Sequence, residues 1–166
     1  GHYVDPTLGT GQTAQTPCPA GSYQASIGQS SCDIADPGHY VDLSLGNAQT
    51  NQTPCPTGTY NPNNSSTSVT DCESAEIGHY VDSTLGTGQL SQTPCLSGTY
   101  NPNTGSTSSS ECIAADIGHY VASTGQSNQT PCGAGTYQAS IGQESCDTAD
   151  PGHYVDLSLG DGQTSQ

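Results

Sequence analysis

The sequence predicts an all-β chain: an elongated tandem-repeat array of short, disulfide-linked β-hairpins. Three observations predict it. All nine tyrosines stand at one phase, in Gly-x-Tyr triplets that open at Gly1, Gly21, Gly38, Gly58, Gly78, Gly98, Gly118, Gly135 and Gly152. Eight cysteines recur in step with those triplets. Gly, Pro, Ser, Thr and Asn are dense, and no segment carries a 3.6-residue apolar period, so helix is disfavoured. A fixed short period marks a chain in which each unit leans on its neighbours.

Two kinds of half-unit alternate, each 17 or 20 residues long. The first, A-type, opens Gly-His-Tyr-Val and ends near Thr-Pro-Cys. The second, B-type, opens Gly-Ser-Tyr or Gly-Thr-Tyr and carries its cysteine earlier. The best-matched neighbours are 118–134 and 135–151, where Tyr120 overlies Tyr137 and Gly125-Gln126 overlies Gly142-Gln143. Full repeats then run 1–37, 38–77, 78–117 and 118–151, with a fifth opening at 152–166. Each half-unit predicts a short strand at Gly-x-Tyr, a turn rich in Gly or Asn, and a second short polar strand. Asn61-Pro62-Asn63 and Asn101-Pro102-Asn103 predict turn starts. The alternative architecture is a β-solenoid, each half-unit advancing about 4.8 Å per layer. The start at the first residue of one repeat and the stop inside another suggest a window cut from a longer array.

Composition narrows the function. Apolar residues make up 30% of the chain, and Phe, Trp and Met are absent, so a conventional core is not expected. Lys and Arg are both zero against 15 Asp and Glu. Without a basic patch, nucleic acid and anionic lipid have nothing to bind, and no apolar run predicts membrane insertion of this segment. Calcium is the only cofactor that the acidity would admit. A solvated acidic surface screened by salt is the simpler reading.

The cysteines are Cys18, Cys32, Cys55, Cys72, Cys95, Cys112, Cys132 and Cys146. Eight cysteines allow about 105 pairings, but repetition leaves two that make sense. Either each Thr-Pro-Cys pairs forward within its repeat (18–32, 55–72, 95–112, 132–146), or each second cysteine pairs into the next repeat, as in 32–55. The first is preferred, because it closes shorter loops and strands no cysteine. Such a loop contributes about 3 kcal/mol in the chain-entropy model. Zinc would want closely spaced pairs such as C-x₂-C, and none is present. Disulfides point to an oxidising compartment, the cell exterior or cell surface. One tyrosine buried per half-unit cannot offset the entropy of ordering it, so an isolated repeat is expected to be unstable. A stack of Tyr3, Tyr23, Tyr40, Tyr60, Tyr80, Tyr100, Tyr120, Tyr137 and Tyr154 is expected to supply part of the remainder.

The stretch Cys18-Pro19-Ala20-Gly21-Ser22-Tyr23 through Cys32 resembles the cysteine-rich, ephrin-receptor-like repeats of extracellular proteins. So do Cys55-Pro56-Thr57-Gly58-Thr59-Tyr60 through Cys72 and Cys132-Gly133-Ala134-Gly135-Thr136-Tyr137 through Cys146. They are similar as well to the simplest module of the tumour-necrosis-factor-receptor family. The resemblance covers about half of each repeat. It implies a small hairpin closed by a disulfide, an extracellular location and an elongated form. Those families normally follow the second cysteine with another, whereas Cys32 is followed by Asp33-Ile34-Ala35-Asp36-Pro37 and a cysteine-poor half. Receptor function is therefore not implied. Tandem Gly-His-Tyr-Val-Asp segments also look like parts of very large microbial surface proteins.

His2, His39, His79, His119 and His153 recur once per repeat, and four have an aspartate three residues on: Asp5, Asp42, Asp82 and Asp156. Positions three apart on a strand face opposite sides, so a packed or hydrogen-bonded ring is expected rather than a metal ladder or a catalytic base. Asn51, Asn63, Asn64 and Asn128 open N-x-Ser/Thr sequons and are the glycosylation candidates. The functional expectation is a non-enzymatic structural protein. It would form an extracellular filament, stalk or surface appendage by association with copies of itself. The alternative is an adhesin or receptor-like ectodomain that binds protein or glycan, whose mark would be one repeat with unique aromatic or loop residues.

Overall fold

A computed structural model describes residues 1–166. The chain is all-β: eight separate two-stranded antiparallel hairpins, with three-residue 3-10 turns in several loops. By backbone contact it forms two compact units. One holds Gly1–Ser74 with Ser83–Ser91, and the other holds Ala75–Asp82 with Gln92–Gln166.

Each hairpin grows from the Gly-x-Tyr triplet. In A-type half-units the His-Tyr pair is the first strand and Thr-Pro the second. His39 faces Pro54 and Tyr40 faces Thr53; His79 faces Pro94 and Tyr80 faces Thr93. Proline is tolerated there because a two-stranded ladder is all edge, where a missing N–H costs nothing. In B-type half-units Tyr23 faces Asp33 and Tyr60 faces Glu73. The strands form discrete pairs, not the continuous parallel sheets of a solenoid.

The loops carry more order than turn residues alone predict. Asp5, Asp42 and Asp156 each cap a 3-10 turn by accepting the N–H two residues on. A short side-chain acceptor just before a turn satisfies an N–H that would otherwise lack a partner. In B-type half-units with the longer loop, Ser68 and Ser108 do the same. Asp71 completes a capping box with Ser68.

The core is thin and runs through small residues. Cys18, Ala35, Val41 and Cys55 are buried in the first unit; Ala75, Val81, Cys95, Ala115, Val121 and Cys132 are buried in the second. No leucine or isoleucine is buried. Four disulfides join Cys18–Cys32, Cys55–Cys72, Cys95–Cys112 and Cys132–Cys146, with Cα–Cα distances of 5.6 to 5.8 Å.

Candidate functional site: the joints between half-units

The residues that repeat most faithfully build the joints between half-units. Three positions make the joint, and each recurs in both units.

The first position closes the hairpin. The N–H of Cys55 donates to the carbonyl of Gly38 (2.7 Å), and that of Cys95 donates to Gly78 (2.9 Å). Ala35 and Ala115 make the same bond to Gly21 and Gly98. Cysteine and alanine thus alternate in one buried slot. Only the A-type version is cross-linked.

The second position is a left-handed turn residue. Its N–H reaches back to the carbonyl of that buried slot. Ala48 donates to Cys18, Ser65 to Ala35 and Gly88 to Cys55 in the first unit. Gly105 donates to Ala75, Gly125 to Cys95, Gly142 to Ala115 and Gly162 to Cys132 in the second. These bonds skip one half-unit, so A-type joins A-type and B-type joins B-type. The turn also brings its own carbonyl against the opening glycine of the earlier hairpin. A Cβ on Gly38 would lie well inside 3.0 Å of the Gly88 carbonyl, and one on Gly98 would meet the Gly142 carbonyl as closely. Gly38 and Gly98 also hold φ of +79° and +78°. Glycine is required there twice over, for its backbone angle and for its missing side chain.

The third position follows the tyrosine. Its N–H bonds to the residue after the left-handed turn of the next half-unit. Val41 donates to Ser66 and Asn61 to Gln89 in the first unit; Val81 donates to Ser106 and Gln138 to Gln163 in the second. This position is buried throughout these links, as valine in A-type and as asparagine or glutamine in B-type half-units. The buried amides are fully used. Asn61 Nδ2 donates to Ser66 Oγ (2.8 Å), and Asn61 Oδ1 accepts from the Asn63 N–H (3.0 Å). Asn101 repeats the pattern with Ser106 and Asn103. In the shorter loops Gln24 and Gln138 reach further, donating to Ser31 O and Ser145 O. The side-chain length follows the loop length.

A reciprocal amide-acid clamp, not anticipated from the sequence, braces the base of each A-type half-unit after the first. The N–H of Asp36 donates to Gln52 Oε1 (2.7 Å), and Gln52 Nε2 donates to Asp36 Oδ2 (2.8 Å). Glu76 with Gln92, Asp116 with Gln129, and Asp150 with Gln166 repeat it. The signal is present in the sequence, because a glutamine precedes every Thr-Pro and an acid stands two before every Gly-His-Tyr after the first.

The histidines and aspartates of His-x-x-Asp part company. His39, His79 and His119 each set Nδ1 against the carbonyl two residues earlier, at 3.0 to 3.2 Å. Asp5, Asp42 and Asp156 turn into the loops as caps. Hydroxyl donation from Thr7, Ser44 or Ser158, then the backbone N–H of the same residue, holds Asp5, Asp42 and Asp156 below the usual carboxylate range. No group of three or more His, Cys, Asp or Glu converges. Tyrosine rings are half-buried in most hairpins and buried at Tyr60, which donates to Glu73 Oε2 (3.1 Å). Burial, then the charges of Asp36 and Asp33, push the Tyr23 hydroxyl up. Asn51, Asn63, Asn64 and Asn128 are all exposed. No helix is long and apolar enough to cross a membrane.

No protein-family model matches the chain, and no curated protein matches it.

Proposed function

We propose that the chain is a non-enzymatic structural repeat protein of the cell exterior, forming part of an elongated filament, stalk or surface appendage. One observation carries this reading: the repeated residues are spent on joints, and every joint has the same form. A half-unit that bonds to the next and to the next but one propagates by addition. Four disulfides fit an oxidising setting, and the partial resemblance to ephrin-receptor-like modules agrees with it.

Copies of the chain are the proposed partners. All eight leucines and all six isoleucines are exposed, from Leu43 at 42% to Ile27 at 95%. In a chain so poor in apolar residues, their placement outside the core favours contact between molecules. Leu8, Leu45, Leu85 and Leu159 end equivalent 3-10 turns and are exposed to nearly the same degree, 68 to 70%. Glycans on Asn51, Asn63, Asn64 or Asn128 belong to the same reading. Small-angle scattering of the monomer, with electron microscopy of concentrated samples, tests it. Extended particles that associate are expected. A compact, monodisperse globule at every concentration would reject it.

A further inference from the structure

The four disulfides divide the chain into two kinds of segment. Bridged loops run 18–32, 55–72, 95–112 and 132–146. Unbridged stretches lie between them, at 33–54, 73–94 and 113–131. Each bridged loop is tied by its own side chains. In 55–72, Asn61 Nδ2 donates to Ser66 Oγ, and Asp71 Oδ2 accepts the N–H groups of Thr67 and Ser68. In 95–112, Asn101 with Ser106, and Glu111 with Thr107, repeat the pattern. In the shorter loops Gln24 holds Ser26 N–H and Ser31 O, and Gln138 holds Ser140 N–H and Ser145 O. Both partners of every one of these bonds lie within the same bridge.

The unbridged stretches lean on others. Each carries a whole A-type hairpin. In 33–54, Gly38 N–H donates to Asn61 O, Val41 N–H to Ser66 O and Leu43 N–H to Thr67 O, all in the following bridged loop. In 113–131, Gly118 N–H donates to Gln138 O and Val121 N–H to Gln143 O in the same way. Two contacts shut the open end of each hairpin. Cys55 N–H meets Gly38 O while Gln52 clamps Asp36; Cys132 N–H meets Gly118 O while Gln129 clamps Asp116. Tension along the chain enters and leaves such a hairpin at that end. Antiparallel strands drawn apart from their open end separate rung by rung, so each bond bears the load alone. Across a bridged loop the tension passes through the sulfurs instead, over a Cα–Cα distance of 5.6 to 5.8 Å, and the backbone inside the loop is not loaded.

We propose that the chain is a graded tether: under tension the A-type hairpins open singly and reclose on release, while the bridged loops hold length in reserve that only thiol reduction sets free. Local opening follows supersecondary units whose bonds are their own, and forced opening is governed by the barrier of the element that carries the load. Drawn straight, an unbridged stretch spans about 60 to 75 Å, and a bridged loop hides about 50 or 60 Å. A small thiol releases each bridge in a pair of exchanges. The first thiolate attacks the half-buried member of the bridge (Cys32, Cys72, Cys112 or Cys146), forms a mixed disulfide there and frees the buried partner as a thiolate. The second attacks the reagent's own sulfur in that mixed disulfide, frees the remaining cysteine and leaves the reagent oxidised to its disulfide. Such a tether works within one chain and needs no contact between copies, so it stands or fails apart from the filament-forming reading.

The test is single-molecule stretching of the intact chain between two cysteine-free handle domains. Without reductant, separate steps of about 60 to 75 Å are expected, each recovered when the force is relaxed. Dithiothreitol should add about 50 Å for each of the 18–32 and 132–146 bridges and about 60 Å for each of the other two. Gln52→Glu removes the Nε2 donor and sets a second carboxylate against Asp36. It should lower the force of one step and leave the reductant-dependent length unchanged. A chain that yields all its unbridged length in one event, or does not recover it, would overturn the proposal. So would an oxidised chain that already reaches the reduced length, or step forces that Gln52→Glu leaves unmoved. The expected steps from a chain that never associates would uphold the tether and reject the filament.

Discussion

Gly98 and Gly46 separate two reasons for glycine. Both lie at positive φ, but a Cβ on Gly46 meets open space, whereas one on Gly98 meets the Gly142 carbonyl. Gly46→Ala should cost about 1–3 kcal/mol, the backbone term alone, because its φ of 83° with ψ of −176° lies in a region almost confined to glycine. Gly98→Ala should cost more than Gly46→Ala, because close-packed backbone must also move. Chemical denaturation of both variants checks the difference, and equal losses would sink the claim that the joint needs a bare α-carbon. Ala48 gives the converse. It holds φ of +68° at a position filled elsewhere by glycine, so Ala48→Gly should stabilise the chain by up to about 1 kcal/mol by relieving left-handed strain. The opening glycines are legible in the sequence as a phase marker. Their steric cause is not, because the carbonyl that crowds Gly1, Gly21, Gly38, Gly78, Gly98 and Gly118 comes from two half-units away. The left-handed position is harder still to read, since glycine, alanine and serine all occupy it.

The hairpin and its loop are the next scale. Hairpins at Gly-x-Tyr are legible because tyrosine and threonine favour strands and Gly or Asn favours turns. The 3-10 turns are not, since Asp-Leu-Ser-Leu reads as loop until the capping carboxylate is placed. The cap makes a pH prediction. Asp156 sits below its ordinary value of 3.8 in the folded chain. A lowered carboxyl pKa means that the cap's contribution is complete above about 3.8. It is lost as pH falls through the lower folded value. Ser158 amide protection, followed by NMR from pH 6 downward, should therefore stay flat until below pH 3.8 and then fall. A midpoint above 3.8 would contradict the cap. The disulfide can be tested with unusual cleanness, because alanine already fills the cysteine slot in B-type half-units. Replacing Cys95 and Cys112 together by alanine removes a cross-link of 17-residue separation without opening a large cavity. The expected loss is about 3 kcal/mol, read by denaturant unfolding; a loss below about 1 kcal/mol would assign the stability to the joints instead.

At the scale of the molecule, the surface is the feature that composition hides. A 30% apolar fraction suggests a thin core. It does not reveal that valine, alanine and cysteine fill that core while leucine and isoleucine stay outside. If those exposed leucines mediate contact between copies, replacing Leu8, Leu45, Leu85 and Leu159 together by serine should weaken association at least about tenfold, roughly 1.4 kcal/mol. Folding should be unchanged, because none of the four is buried. Salt should strengthen association of the parent chain by screening its net charge of −15. Analytical ultracentrifugation measures both effects, and an association indifferent to the four serines would assign it elsewhere. The shared slot for cysteine and alanine has an evolutionary corollary. Covalent ties could be added or deleted by exchange at that slot, given a second cysteine nearby, while the backbone course stays put. Toughness and length would then be free to vary separately as such a chain gains or loses copies.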